Sequence, residues 1–230
     1  MTEQKQKREL VKAVSPKATF RYPKLSEPDF GNEEYPKPNG EYSVQLLLTA
    51  EEAKPLIDKL QPVHDKAVSE GQIAFDNLGV AQRKKMKTLT VNPLFSEEFD
   101  KETEEPTGNV IFKIKMAASG KNKKTGKPWS RKPTLFDAKG QVMKTAPQIW
   151  GGSVGKVSFE AAPYFITGTG TAGVAFYLNA VQIIELRSGG GGDAASHGFG
   201  EEEGFAYEEA STPAQKEGFG AAEDDGEEDF

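Results

Sequence analysis

The chain has 230 residues and no cysteine, which excludes disulfides, thiolate metal sites and a thiol nucleophile and fits a reducing compartment. A net charge of −6 with a mean hydropathy of −0.60 excludes one uniformly packed core, so part of the chain is expected to stay solvated. The opening MTEQKQKREL has no apolar signal region and no later stretch reaches the length of a membrane span, so a cytosolic protein off the membrane is expected.

In chain order, KATFRY (17–22) alternates with Ala18, Phe20 and Tyr22 on one face, the period of a half-buried strand. Phe30 and Tyr35 follow in the turn-rich PDFGNEEYPKP, either covering a barrel end or exposed. EYSVQLLL (41–48) aligns Tyr42, Val44, Leu46 and Leu48 as a second strand. Thr49 with Glu52 reads as a capping box, and Leu56, Leu60, Val63 and Ala67 continue it as one helix face. Pro55 and Pro62 predict that this helix starts late or kinks. AQRKKMK (81–87) reads as an exposed basic loop and SEEFDKETEEPTG (96–108) as an exposed acidic one.

NVIFKIKMAA (109–118) puts Val110, Phe112, Ile114 and Met116 on the core face, with Ile111, Lys113 and Lys115 opposite. KVSFEAA points Val157 and Phe159 inward, GTGTAG (168–173) reads as a hairpin turn, and GVAFYLNAVQIIEL (173–186) closes the body. Five or six strands and one helix predict an all-β fold: an OB-fold, a five- to six-stranded Greek-key barrel with insertions. At SGGGG (188–192) the composition changes. Residues 188–230 hold 13 acids against Lys216, a net −12, which leaves the body 28 bases against 22 acids, a net +6. The expected organisation is therefore a barrel over 1–187 and a disordered acidic tail over 188–230.

Catalysis finds no support in these residues. The two histidines are His64 and His197, and no metal-ligand spacing, P-loop, nucleophile elbow or dinucleotide fingerprint is present. Neither an enzyme, a metal nor a cofactor is expected. The strongest local signal is SGKNKKTGKPWSRK, which carries Lys121, Lys123, Lys124, Lys127, Arg131 and Lys132 around Trp129 with no acid. With Lys113 and Lys115 on the strand leading into it, this run can neutralise phosphates while an indole stacks on an unpaired base. The competing reading is a solvated lysine hairpin with Trp129 packed under its own loop.

Arg83, Lys84, Lys85 and Lys87 form a secondary basic patch. Trp150, beside glycines, and Tyr164, at a strand end, read either as stacking platforms or as core anchors. In the tail, rings set among acids, ending in Glu227, Glu228, Asp229 and Phe230, offer the two features of a single strand: spaced negative charge and stackable rings.

PDFGNE (28–33), NVIFKIKMAASGKNKKTG (109–126), LFDAKGQVM (135–143), GGSVGKVSFEAAPY (151–164) and VQIIEL (181–186), before an acidic tail ending in Phe, resemble the single-stranded DNA-binding proteins of T-seven-type bacteriophages. The resemblance implies an OB barrel with an extra helix, binding to single-stranded DNA, and a homodimer. It also implies a tail that contacts replication proteins (DNA polymerase, helicase/primase) during DNA replication, recombination and repair in the cytoplasm of a bacterial host. By position, Lys113, Lys115, Tyr164 and Phe230 match the family pattern. Trp129 and Trp150 match no family aromatic and rest on the chemistry alone. The alternatives are an acidic-tailed scaffold that docks proteins, and a binder of RNA or duplex.

Overall fold

The computed structural model describes residues 10–187. Its elements are β1 (Val11–Val14), β2 (Ala18–Gly31), β3 (Pro36–Thr49), α1 (Ala50–Asp76), α2 (Val80–Met86), β4 (Thr90–Val91) and β5 (Ser96–Phe99). They continue with β6 (Pro106–Ala117), β7 (Ser119–Lys121), β8 (Pro128–Ser130), β9 (Thr134–Phe136), β10 (Val154–Ile166) and β11 (Thr171–Glu185).

The five long strands are the five that the alternation predicts, and they close on themselves. Around the ring the order is β2, β3, β6, β11, β10 and back to β2. β6 and β11 meet in parallel at Lys115↔Tyr177, and β10 returns to β2 through Val154↔Thr19 and Gly155↔Ala18. This is an OB barrel with one main helix. Each strand turns alternate apolar residues inward, so Phe20, Val44, Leu46, Phe112, Ile114, Val157 and Phe159 are fully buried. Phe159, Phe176, Phe112 and Phe95 form a run of tilted and edge contacts, with centroids 5.4, 6.1 and 5.7 Å apart. Closure needs Gly155. A Cβ there would stand 2.2 Å from the Gln182 carbonyl oxygen and 2.8 Å from the Phe20 ring.

The predicted capping box forms: the Glu52 N–H donates to Thr49 Oγ1 at 3.2 Å, and the Thr49 N–H donates to Glu52 Oε2 at 3.0 Å. The expected late start does not occur. α1 begins directly at Ala50 and runs 27 residues, with both prolines inside it. Pro55 and Pro62 lie on the exposed side, where the carbonyls they free can be hydrated. Ala53, Leu56, Leu60, Val63, Ala67, Gly71 and Phe75 are buried on the other side. Gly71 seats the helix so close to β11 that a Cβ would come within 2.5 Å of the Ala172 methyl.

Three further expectations are corrected. The stretch 81–87, read as a loop, lies within the helical turns of α2 up to Met86, and the bases Arg83, Lys84 and Lys85 lie in its last turn, where they favour the negative end of its dipole. The acidic 96–108 is not one loop: β5 folds back on the start of β6 as an antiparallel hairpin, with Ser96 opposite Ile111 and Phe99 opposite Pro106. Tyr22 does not follow Phe20 into the core. Between Arg21↔Gln45 and Lys24↔Ser43 the ladder slips, so Tyr22 and Pro23 together face the single residue Val44. That bulge rephases the strand, burying Leu25 and turning Tyr22 outward. Of GTGTAG, Gly168, Thr169 and Gly170 form the turn between β10 and β11, while Thr171, Ala172 and Gly173 already belong to β11.

Candidate nucleic-acid interface

The register across β2, β3 and β6 defines what their outer face presents. Residues opposite one another on neighbouring strands share a side of the sheet. One row reads Arg21–Gln45–Lys113; the next reads Lys24–Ser43–Lys115 and continues onto β11 at Tyr177. Lys24, Lys113 and Lys115 are exposed, and Tyr177 is half-buried between the inward Phe176 and Leu178. Two rows of cations thus cross the second and third barrel strands, the OB face that accepts oligonucleotides in other proteins.

Sequence reasoning found Lys113 and Lys115 but missed Arg21, Lys24 and Tyr177. The alternation KATFRY already put Arg21 outward. What it could not supply was which strand lies beside β2.

At the C-terminal end of β6 this face runs into the β7–β8 hairpin. Lys121, Lys123, Lys124, Lys127, Arg131 and Lys132 are all exposed there. The hairpin is tied to the start of β3: Ser119 Oγ donates to the Asn39 carbonyl at 2.8 Å, and the Ala118 N–H donates to the Gly40 carbonyl at 2.9 Å. Trp129 pairs across the hairpin with Gly120, whose missing side chain leaves room for the indole; a Cβ would be 2.5 Å from Cζ2. The Arg131 guanidinium lies 5.0 Å from the ring centroid, yet the residue remains 38% exposed. Trp129 is therefore braced by its own hairpin and still open to a stacking partner.

The other end of the face is framed by the β10–β11 turn. β11 runs parallel to β6, and Thr171, paired with Thr90 of β4, precedes Tyr177 by about 20 Å of strand. Tyr164 stands opposite Gly173, half-buried, and its hydroxyl accepts from Asn92 Nδ2 at 2.5 Å. α2 lies against the same turn: a Cβ on Gly170 would meet the Met86 sulfur at 2.9 Å. Lys84, Lys85 and Lys87, all exposed, and the half-buried Arg83 belong to or directly follow this helix and so lie near the β10–β11 turn. The primary and secondary basic patches therefore flank opposite ends of the β3–β6 face. Trp150 sits apart from both, 48% exposed, against β2.

Carboxylates already occupy part of the face. Glu41 Oε1 accepts from Lys37 Nζ at 3.1 Å and Oε2 lies 3.4 Å from Lys115 Nζ, while Asp29 takes the same Lys37 at 2.7 Å. Burial works to raise the Glu41 pKa, but the Lys37 hydrogen bond and the Lys115 charge outweigh it and hold this carboxyl below its ordinary value. Glu98 pairs with Arg21 and accepts from Asn109 Nδ2 at 2.9 Å. The Asn109 bond, ahead of Arg21, lowers its pKa in the same way. No group of three or more His, Cys, Asp or Glu side chains that could hold a metal exists among the described residues. No helix among them is long and apolar enough to cross a membrane. Phe230, Asp229, Glu228 and Glu227, with the rest of the acidic segment 188–230, lie outside the described residues.

The family model described as "Single-stranded DNA-binding protein, Bacteriophage T7" matches residues 17–186. The single-stranded DNA-binding protein of Enterobacteria phage T3 is 33% identical over 176 residues, covering 74% of each chain. That of Escherichia phage T7 is 29% identical over 217 residues, covering 90% of each. The crystal structure of gp2.5, a single-stranded DNA-binding protein encoded by bacteriophage T7, superposes with a TM-score of 0.60 at 25% identity, over 87% of this chain and all of that one. With a family model spanning nearly all of the barrel and a relative one-third identical over most of its length, the chain belongs to the T7-type family of phage single-stranded DNA-binding proteins.

Proposed function

We propose that the protein binds single-stranded DNA, with little sequence preference and without catalysing a reaction, along the outer face of β3 and β6. The observation that carries this reading is the pair of cross-strand rows, Arg21–Gln45–Lys113 and Lys24–Ser43–Lys115, leading into the basic β7–β8 hairpin. Lys113, Lys115, Lys121, Lys123, Lys124, Lys127, Arg131 and Lys132 neutralise phosphates. Trp129, Trp150 and Tyr164 stack on bases, and Arg83, Lys84, Lys85 and Lys87 extend the path at its far end. Nothing along the face forms the fixed donor–acceptor constellation that reads a base edge.

The acidic segment 188–230 competes with DNA for the cationic face. Once displaced, it offers Phe230 and its neighbouring acids Glu227, Glu228 and Asp229 to replication proteins (a DNA polymerase, a helicase/primase). The protein acts as a homodimer in phage DNA replication, recombination and repair in the host cytoplasm.

The test is the salt dependence of binding to oligo-dT. If about five of these cations each neutralise a phosphate in the complex, the slope of log K against log [salt] is near −3.5, from about 0.7 per contact for single strands. Lys113→Ala should flatten it by about 0.7, and Lys115→Ala by less, because Glu41 already pairs with Lys115. Salt-independent binding would overturn the reading, and equal competition by duplex or by poly-U would reassign the ligand.

A further inference from the structure

A groove of about 640 Å³ opens between β2 and the segment that leads into β10, a volume typical of sites that enclose small organic groups. Two exposed rings line it: Tyr22, 63% exposed, from β2 and Trp150 from the facing segment. The backbone of the Trp150 segment is hydrogen-bonded on both sides. The Trp150 N–H donates to the Arg187 carbonyl at 3.0 Å, and the Trp150 carbonyl accepts from Ser153 at 3.2 Å. Next to it, the Gly152 N–H donates to the Phe20 carbonyl at 2.8 Å. Ser26 Oγ, bonded to the Pro147 carbonyl, ties down the same segment farther along.

Tyr22 is presented by the bulge in β2, at φ 46°. This left-handed conformation costs a side-chain-bearing residue roughly 1–3 kcal/mol and persists where the surroundings impose it, often at ligand sites. Without the bulge the ring would enter the core, as the alternation of KATFRY predicts; with it, the ring faces solvent. Arg21 and Lys24 also line the groove with Glu27; Arg21 is already paired with Glu98, so Lys24 is the exposed cation there and Arg21 meets a phosphate while shared with that carboxylate. The Arg21 guanidinium lies 5.6 Å from the Tyr22 ring centroid. Both cations belong to the rows that cross the outer face, so the groove continues that face past its β2 edge.

Two anchored aromatic surfaces, an apolar floor at Ile149 and cations continuous with a phosphate path select one chemistry: an unpaired base with its backbone phosphate. We propose that the Tyr22–Trp150 groove receives a base of the bound strand, turned out of the β3–β6 path, and that Arg21 and Lys24 hold the adjoining phosphate. This rests on the outer face being the single-strand path.

The test uses the full-length chain and oligo-dT. Tyr22→Ala and Trp150→Ala should each weaken binding about 5- to 150-fold, the range expected for loss of one stacking ring, while Tyr22→Phe should bind as wild type. An abasic oligonucleotide of equal length and charge should bind more weakly than oligo-dT to the wild type, and this gap should narrow in the double alanine variant. In a Trp129→Phe background, where Trp150 is the remaining tryptophan, oligo-dT should quench the emission.

If Lys113→Ala and Lys115→Ala lower the affinity but the ring variants and the Trp150 signal do not respond, the groove is not a base site: the inference falls with the stacking role of Trp150, and the outer-face reading stands. If none of these changes affects binding, the reading of the outer face falls with it. If Trp150 emission responds to removal of residues 188–230 and not to oligo-dT, the groove holds the chain's own acidic segment and the inference is overturned.

Discussion

Glu41 shows how single residues tune the cationic face. Its carboxylate bridges Lys37 and Lys115, so one of the two strand lysines that would meet phosphate is already paired. Replacing it with Gln keeps the shape and removes the charge. Glu41→Gln should strengthen binding to oligo-dT and steepen the salt slope by about 0.7 to 1.4, one or two added phosphate contacts; an unchanged slope would place Lys115 off the DNA path. The pH dependence follows from the depressed pKa. A carboxyl whose folded value lies below its unfolded one stabilises the fold fully above the ordinary value of 4.5 and loses that contribution as pH falls through the folded value. Thermal melts between about pH 6 and 3 should therefore show a steeper acid loss for wild type than for Glu41→Gln. At this scale the alternation of NVIFKIKM announced Lys113 and Lys115. Glu41 could not be assigned as the partner of Lys115, because the whole of α1 separates the two strands in the chain.

Among the elements, α1 and the β7–β8 hairpin carry opposite lessons. The helix cap, though not the immediate start at Ala50, was legible because capping is local: Thr49 and Glu52 satisfy each other's backbone donors within one turn. Thr49→Ala should cost about 1 kcal/mol, measurable as a lower urea midpoint with unchanged slope. Its continuity through Pro55 and Pro62 was not legible, since it depends on burial of the opposite face against the barrel. The hairpin announced its charge but not how its tryptophan is held. Gly120→Ala would drive a methyl into the Trp129 ring and should shift Trp129 emission to longer wavelength. Barrel stability should change by no more than about 0.5 kcal/mol, as for other surface positions. An unaltered spectrum would mean that the indole does not rest on Gly120 in solution.

For the whole molecule, charge segregation is the governing feature: a body of net +6 on the same chain as a segment of net −12. If the acidic segment competes as proposed, tethering raises its effective concentration at the cationic face to order millimolar, and salt weakens such an interaction. A chain ending at Arg187 should therefore bind oligo-dT more tightly than the full chain at low salt, and the difference should shrink as salt rises. Equal affinities at low salt would leave residues 188–230 without a competing role.

The strand set, the capped helix, the basic run and the partition of charge were determined by the sequence alone, because alternation, capping and net charge depend on residues close together in the chain. The cationic rows, the braced Trp129 and the groove between Tyr22 and Trp150 were decided only by the tertiary structure. Each depends on which strand lies beside which. A single bulge at Tyr22 and Pro23 reverses the side a residue faces, since every one-residue slip in a strand exchanges core for surface.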